Sequence, residues 1–264
     1  MLPLENIAVA AARAAGNHIM RNLERIEQLK VDRKSRSDFV SDVDRKSEAD
    51  IIGTIHKHHP DHAIHGEESG KSGESDYVWI IDPLDGTTNF LHGFPTFAVS
   101  IGVQVKGKVQ HAVVYDPMRQ ELFTASRGDG AQLDGKRIRV SNQRTLEGAL
   151  VGTGFPFRAG ANLEAYLAML KVVMSTAAGV RRPGAASLDL AYVAAGRMDA
   201  FWEFGLSPWD TAAGTLLIQE AGGRVSTPSG GDYLLGPNIV AGNPKVFAQL
   251  LEALGPLTPA DLRN

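Results

Sequence analysis

The sequence predicts a mixed α/β fold. Two observations carry this reading: short, β-prone apolar runs crowd the middle of the chain, and apolar residues recur at helical spacing at its start and through its second half.

Taken in order, residues 4–22 place Leu4, Ile7, Ala8, Ala11, Ala15 and Ile19 on one helical face. A polar segment rich in Lys, Arg and Ser follows over residues 30–37. Residues 44–58 read as a second helix, ended by His59-Pro60. The run Tyr77-Val78-Trp79-Ile80-Ile81 is apolar and β-prone, so it is expected to be a buried strand that stops at Asp82-Pro83. Residues 97–105 and 109–115 flank Lys106-Gly107-Lys108 and predict a hairpin, with a further strand over 121–125. Arg127-Gly128-Asp129-Gly130 reads as a tight turn rather than an adhesion motif, since no secretion signal accompanies it. Residues 161–178 and 185–197 are expected to be helical, separated by Arg181-Arg182-Pro183-Gly184. A strand is expected over 199–204. Ser207-Pro208-Trp209-Asp210 then opens a helix that closes at Gly222-Gly223, with serine at the cap, proline in the first turn and glycine past the end. A strand over 237–242 and a helix over 244–254 complete the chain. No repeat or linker divides it, so two intimately packed halves are expected, 1–145 and 146–264.

Composition narrows the function classes. The chain has 264 residues, 43% hydrophobic and 22% charged, which allows a large core and argues against disorder. A net charge of −3 disfavours a general grip on nucleic acid, which needs a basic surface. There is no cysteine, so disulfides, thiolate metal sites and cysteine nucleophiles are excluded. No apolar stretch is long enough for a membrane span, and the N-terminus lacks the basic region of a signal peptide; a cytoplasmic protein is expected. Five histidines lie between His56 and His65, but not at the spacing of a helical zinc motif, and they read as a solvated helix end and loop.

The segment Asp82-Pro83-Leu84-Asp85-Gly86-Thr87-Thr88-Asn89-Phe90 carries the most chemistry. The strand delivers Asp82 to its end, and a turn would hold Asp85 close by. Two carboxylates about 4 Å apart repel by roughly 4 kcal/mol at an effective dielectric near 20. A cation converts that penalty into a binding site, and hard oxygen ligands suit Mg²⁺. Gly86 permits close backbone approach, the amides of residues 86–88 can face an anion, and Thr87 adds a hydroxyl beside both. Gly66-Glu67-Glu68-Ser69-Gly70-Lys71-Ser72 has a superficial likeness to a phosphate-binding loop, but it is one residue short and its two glutamates would repel phosphate.

The acidic segment resembles the signature of the inositol monophosphatase family, within a larger group of lithium-sensitive, magnesium-dependent phosphatases. Trp209-Asp210-Thr211-Ala212-Ala213-Gly214, with Glu220-Ala221-Gly222-Gly223, resembles the family's second signature, and Gly66-Glu67-Glu68-Ser69 a third element. The similarity extends from the first helix to about residue 245. Asp116-Pro117-Met118-Arg119 and Gly154-Phe155-Pro156-Phe157 are similar to the bacterial SuhB-type members.

The resemblance implies a layered α-β-α-β-α sugar-phosphatase fold, a homodimer, and hydrolysis of myo-inositol monophosphate with two Mg²⁺ ions per subunit and a third, weaker one near Glu67. The ligands it implies are Glu67, Asp82, Asp85, Asp210 and the carbonyl of Leu84. Catalysis is implied at Thr87, which would orient a water, with Asp44 accepting from the threonine and Glu67 helping to take the proton. Substrate contacts are implied at Asp85, Gly86, Thr87, Gly184, Ala185, Ala186, Glu203 and Asp210. Arg181 is a further candidate, for the substrate or for a subunit interface. Family members often carry a hydroxyl residue where this chain has Ala185. Two alternatives stay open. The substrate could be fructose 1,6-bisphosphate, a nucleotide 3′-phosphate or histidinol phosphate. SuhB-type members are also associated with RNA polymerase and its antitermination factors, for which Lys136-Arg137-Ile138-Arg139 and Arg181-Arg182 are candidate contact points.

Overall fold

The structure, a computed structural model, describes residues 3–35, 38–156 and 162–264. Arg36, Ser37 and residues 157–161, including Phe157 and the expected start of the helix at 161, lie outside the described residues. Chain order runs α1 (Pro3–Leu23), β1 (Val31–Ser35), β2 (Asp38–Ser41), α2 (Asp42–His58), β3 (Ala63–Gly66), β4 (Gly70–Ser72), β5 (Tyr77–Asp85) and α3 (Thr87–Leu91). It continues with β6 (Ala98–Val105), β7 (Lys108–Asp116), β8 (Glu121–Ser126), β9 (Gly130–Leu133), β10 (Lys136–Arg137), β11 (Leu150–Thr153) and α4 (Leu163–Thr176). The remainder is β12 (Gly179–Arg181), α5 (Ala186–Ala194), β13 (Ala200–Glu203), α6 (Pro208–Glu220), β14 (Arg224–Ser226), β15 (Ile239–Gly242) and α7 (Pro244–Leu254).

Three cores arrange these elements as five layers. On one face of an eight-stranded sheet, ordered β10-β9-β8-β7-β6-β5-β3-β4, the alanine face of α1 and Val43, Ile51 and Ile55 of α2 cover Trp79, Ile81, Val99, Ile101 and Val113. The other face offers Ile80, Ala112, Val114, Phe123 and Ala125 to α5 and α6, which pack below on Phe201, Ile239 and Ala241 of a second sheet. That sheet has five strands, β12-β11-β13-β15-β14, and its far face carries Val151, Ala200, Trp202 and Val240 against α4 and α7. Alternation at a period of two explains the layering: Trp79 and Ile81 go to one core and Ile80 to the other. α5 and α6 lie between two sheets, which is why all but one residue of α5 and the unbroken run from Asp210 to Ile218 of α6 are buried. The fold is the layered α-β-α-β-α arrangement that the resemblance implied.

The expected helices are present with ends moved by a residue or two, except that the one expected over 185–197 stops at Ala194. At the polar segment, for which the sequence offered no element, β1 and β2 pair antiparallel, Val31 with Ser41 and Asp32 with Val40. One expectation needs correction. The central strand does not stop at Asp82-Pro83. β5 runs on to Asp85, which pairs with Ala98 after a register shift. No helix among the described residues is long and apolar enough to cross a membrane.

Candidate active site

The acidic centre begins with that register shift. Asp82 pairs with Ser100 and Asp85 with Ala98, so two residues of β5, Pro83 and Leu84, oppose the single Val99 of β6. This is a bulge, and Pro83, which has no amide hydrogen to give to the ladder, sits inside it. In a regular strand, side chains three residues apart point to opposite faces. The extra residue resets the alternation, so Asp82 and Asp85 share the face covered by α5 and α6, while Leu84 packs in the opposite core.

Asp210 reaches the same place from α6. The carbonyl of Trp209 accepts from the Ser100 hydroxyl at 3.1 Å, which anchors the start of α6 over the residue paired with Asp82. Asp210 lies in the first turn, where its carboxylate accepts from the Ser207 amide at 2.7 Å. Asp82, Asp85 and Asp210 are all buried, and one carboxylate oxygen of each lies within 4.8 Å of the others. Among the described residues, no other group of acids or histidines gathers in this way.

Each carboxylate has its own support. Asp82 accepts from the Leu84 amide at 3.0 Å. Asp85 accepts from the amide and the hydroxyl of Ser187, at 2.8 and 2.6 Å, at the start of α5. Burial pushes the Asp82 carboxyl well above the ordinary carboxylate range, and Glu67, Asp85 and Asp210 push it further. Burial also raises Asp85, against the hydrogen bonds from Ser187 and its neighbouring amides. Glu67 therefore stands near Asp82; its amide donates to the Ile81 carbonyl, just before Asp82. An oxygen-only, buried and mutually repelling donor set fits a hard divalent cation such as Mg²⁺.

Thr87 follows Gly86, which takes φ +89° as the cap of the short α3; a β-carbon there would meet the Thr96 carbonyl at 2.9 Å. The Thr87 hydroxyl lies 2.7 Å from Asp44 Oδ1 and 3.0 Å from the Leu84 carbonyl. It has one proton, and the charged acceptor is the nearer. Asp44 Oδ2 is taken up by the amide and hydroxyl of Ser41, at 2.8 and 2.5 Å, in the capping box that opens α2. Burial raises the Asp44 carboxyl despite hydrogen bonds from Ser41 and Thr87.

The remaining candidates form a rim. Ala185 is buried and caps α5, and a β-carbon on Gly86 would lie 3.3 Å from its methyl. Ala186 is nearly as buried. Asn89 ties this loop to the acidic turn, donating to the carbonyls of Thr96 at 2.7 Å and Pro183 at 2.9 Å, beside Gly184. Glu203 ends β13 half-buried, its carboxylate lying over Gly154, where a β-carbon would come within 2.0 Å of its carbon. Arg181 is exposed on the edge strand β12 and donates to the carbonyl of Val180. Its neighbour Arg182 places its guanidinium 5.1 Å from the Phe155 ring.

Three supporting residues escape a reading of the sequence. Glu48, one helical turn after Asp44, accepts from the amides of Glu68 and Ser69 at 3.0 and 2.7 Å and so holds the loop that carries Glu67. Ser187 holds Asp85. Asp189, fully buried on α5, has one oxygen without a hydrogen-bond partner, and burial pushes its carboxyl well up, with Glu203 and Asp85 adding to the effect. Arg182 offsets that effect. Of these, only the i, i+4 spacing of Asp44 and Glu48 is a sequence signal. Of the histidines, His62 stacks between His59 and Tyr77 and accepts from the Trp79 indole at 2.9 Å. His65 is not in a solvated loop as expected but half-buried on β3, its ring edge-on to Trp209, the neighbour of Asp210.

The fold and this acidic centre are accompanied by similarity along the whole chain. Residues 1–256 match the family model described as the inositol monophosphatase family. The chain belongs to the inositol monophosphatase family. Within it, the chain is 57% identical to the protein named Nus factor SuhB of Pseudomonas aeruginosa, over the full length of both. The extragenic suppressor protein suhB of Bartonella henselae superposes with a TM-score of 0.93 at 44% identity, covering 96% of this chain and 98% of that one. Inositol monophosphatase from Anabaena superposes at 0.85 with 38% identity, covering 98% and 97%. As a member of this family, the chain is a phosphomonoesterase with a mixed α/β fold of the inositol monophosphatase type.

Proposed function

We propose that the chain hydrolyses the monophosphate ester of a small polyol, with myo-inositol monophosphate as substrate, in a Mg²⁺-dependent reaction at the acidic centre. The observation that carries this reading is the convergence of Asp82, Asp85 and Asp210, buried and within 4.8 Å of one another, from two distant parts of the chain. Asp82, Asp85 and Asp210 would hold one ion; Glu67, Asp82 and the Leu84 carbonyl would hold the other. When bound, such ions lower the pKa of water and neutralise charge on phosphoryl oxygens.

The protein's own groups do the rest. The Thr87 hydroxyl, donating to Asp44, leaves its lone pairs to accept a hydrogen bond from the attacking water and so aims it. Glu67 accepts the proton that the water releases. The first-turn amides of α3, which have no helical acceptor, face the phosphate. Ala185 and Ala186 form an apolar floor, and Glu203 accepts from ring hydroxyls. Phosphate release from a panel of monoesters tests this directly. Activity should appear with Mg²⁺, vanish with chelator, and fall at least about a thousandfold in Asp82→Asn. Turnover undiminished by that substitution would remove the acidic centre from the reaction.

A second reading is favoured by one observation, that the similar protein of Pseudomonas aeruginosa is named a Nus factor. On this reading the chain also binds RNA polymerase or its antitermination factors, as a homodimer, through exposed basic residues such as Lys136, Arg137 and Arg139. Asp82→Asn should then retain capture of these partners from extract, whereas a triple alanine variant of the basic residues should lose it. Equal capture by both proteins would exclude that surface.

A further inference from the structure

The face of the eight-stranded sheet covered by α1 holds a second polar cavity, remote from the acidic centre. Asp82, Ser100, Val114 and Phe123 stand in register across four strands, a span of roughly 14 Å, and the cavity lies beyond Phe123 along β8. It measures about 200 Å³ and is lined by Glu5, Thr124, Ser126, Asp129, Gly130 and Gln132.

The sheet register builds it. Thr124 and Ser126 are two residues apart and share a face, while Phe123 and Ala125 enter the core on the other side. On β9, Gln132 stands opposite Thr124 and Gly130 opposite Ser126. Glu5, in the first turn of α1, closes the cavity from above; it is only 6% exposed, and its carboxylate accepts from the Ser126 hydroxyl at 2.6 Å. His111, the cross-strand partner of Ser126, brings Nδ1 to 2.7 Å from that hydroxyl. The hydroxyl has one proton and gives it to the carboxylate, so His111 Nδ1 must be the donor. The chain runs His111 to Ser126 to Glu5 and ends on an acceptor. A serine nucleophile needs the reverse, an imidazole that takes the hydroxyl proton. The array is therefore organised for binding.

Two observations identify what it binds. Thr124 is 3% exposed and faces the cavity, yet its hydroxyl has no protein partner among the described residues. Glu5 accepts one hydrogen bond from a side chain, though a carboxylate has about four acceptor sites, and Asp129 brings a second negative charge. No lining residue is basic; Arg137, the cross-strand partner of Gln132, lies against Gly130 and is engaged there, donating to the Asp129 carbonyl at 3.2 Å. Glu5, His111 and Asp129 do not close to the spacing of a metal cluster, as the three aspartates do. A neutral polyol would leave the buried carboxylate uncompensated. We propose that this cavity binds a small organic cation of the primary-ammonium class, which donates to the Glu5 carboxylate, the Thr124 hydroxyl and the Gln132 amide oxygen.

Calorimetric titration of the full chain in saturating Mg²⁺ tests this, with ethylammonium and putrescine as probes and sodium chloride at matched ionic strength as the control. One saturable site per chain is expected for the amines and none for sodium. Glu5→Gln should weaken binding by about tenfold or more, the loss of one charge-assisted hydrogen bond. Thr124→Val should weaken it as well, with phosphatase activity unchanged in both. Thr124 does not touch α1 through any hydrogen bond, so that variant decides the matter if Glu5→Gln unfolds. Absence of saturation, or equal heats in native and variant proteins, would each overturn the proposal.

Discussion

At the scale of single residues, the site turns on where one proton goes. The Thr87 hydroxyl gives its hydrogen to Asp44 only while Asp44 is ionised. Burial raises the Asp44 carboxyl above its ordinary value, so the acceptor is lost at a higher pH than an exposed aspartate would allow. Activity therefore falls as pH drops through the raised value, because protonated Asp44 competes as a donor and Thr87 loses its orientation. The acidic limb of the kcat/KM profile should therefore lie above the usual carboxylate range of about 4. In Asp44→Asn, turnover should fall about 10²- to 10³-fold and that limb should move or flatten, while Thr87→Ser should keep most of the activity. A profile unchanged in Asp44→Asn would mean that the aspartate serves only to cap α2.

At the scale of elements, the site is a meeting of a bulged strand and three helix starts. β5 supplies two aspartates on one face only because Pro83 forces an extra residue into the strand. α6 and α5 bring Asp210 and Ser187, and α2 brings Asp44 and Glu48 one turn apart. Asp82, Asp85 and Thr87 were legible in the sequence because they share one local acidic motif, whereas Asp210, whose place at a helix start reads as an ordinary cap, was reached only through the family resemblance. Ser187 was not, since its partner Asp85 is 102 residues away and nothing local marks the pair. The long helices and the β6–β7 hairpin were legible through periodicity. β3, β4, β11, β12 and β14 were not, because runs of three or four residues are too short to show a period. The Ser187 bond carries a test. Ser187→Ala removes one donor from a buried carboxylate and should weaken Mg²⁺ activation by about 10- to 100-fold while leaving the fold intact. Glu48→Gln, which keeps the shape but weakens the grip on the loop amides, should act in the same direction. The check is the Mg²⁺ concentration giving half-maximal activity, with circular dichroism confirming the fold.

At the scale of the whole molecule, the acidic centre joins distant parts of the chain that meet in the core between the two sheets. Asp82 and Asp85 extend from the eight-stranded sheet, while Asp210 opens a helix buried between that sheet and the five-stranded one. Without a cation, three buried carboxylates lie within 4.8 Å of one another across this junction, and the Asp82 carboxyl is raised first by burial and then by Glu67, Asp85 and Asp210. A divalent ion binding the folded chain and not the unfolded one therefore stabilises the packing of α6 against the eight-stranded sheet, in addition to serving chemistry. At a hundredfold excess over its dissociation constant, a single such ion contributes about 2.7 kcal/mol. For a chain of this size that corresponds to a rise in Tm of roughly 5–10 °C. Mg²⁺ should produce this shift in the native protein, and chelator should reverse it. Asp210→Asn should start from a higher metal-free Tm, since one repelling charge is gone, and should gain less from Mg²⁺. Calorimetry of both proteins, with and without Mg²⁺, separates this from a general salt effect, because sodium at equal ionic strength should not reproduce the difference. A Tm that rises equally in both would place the ion elsewhere and leave the junction held by apolar packing alone.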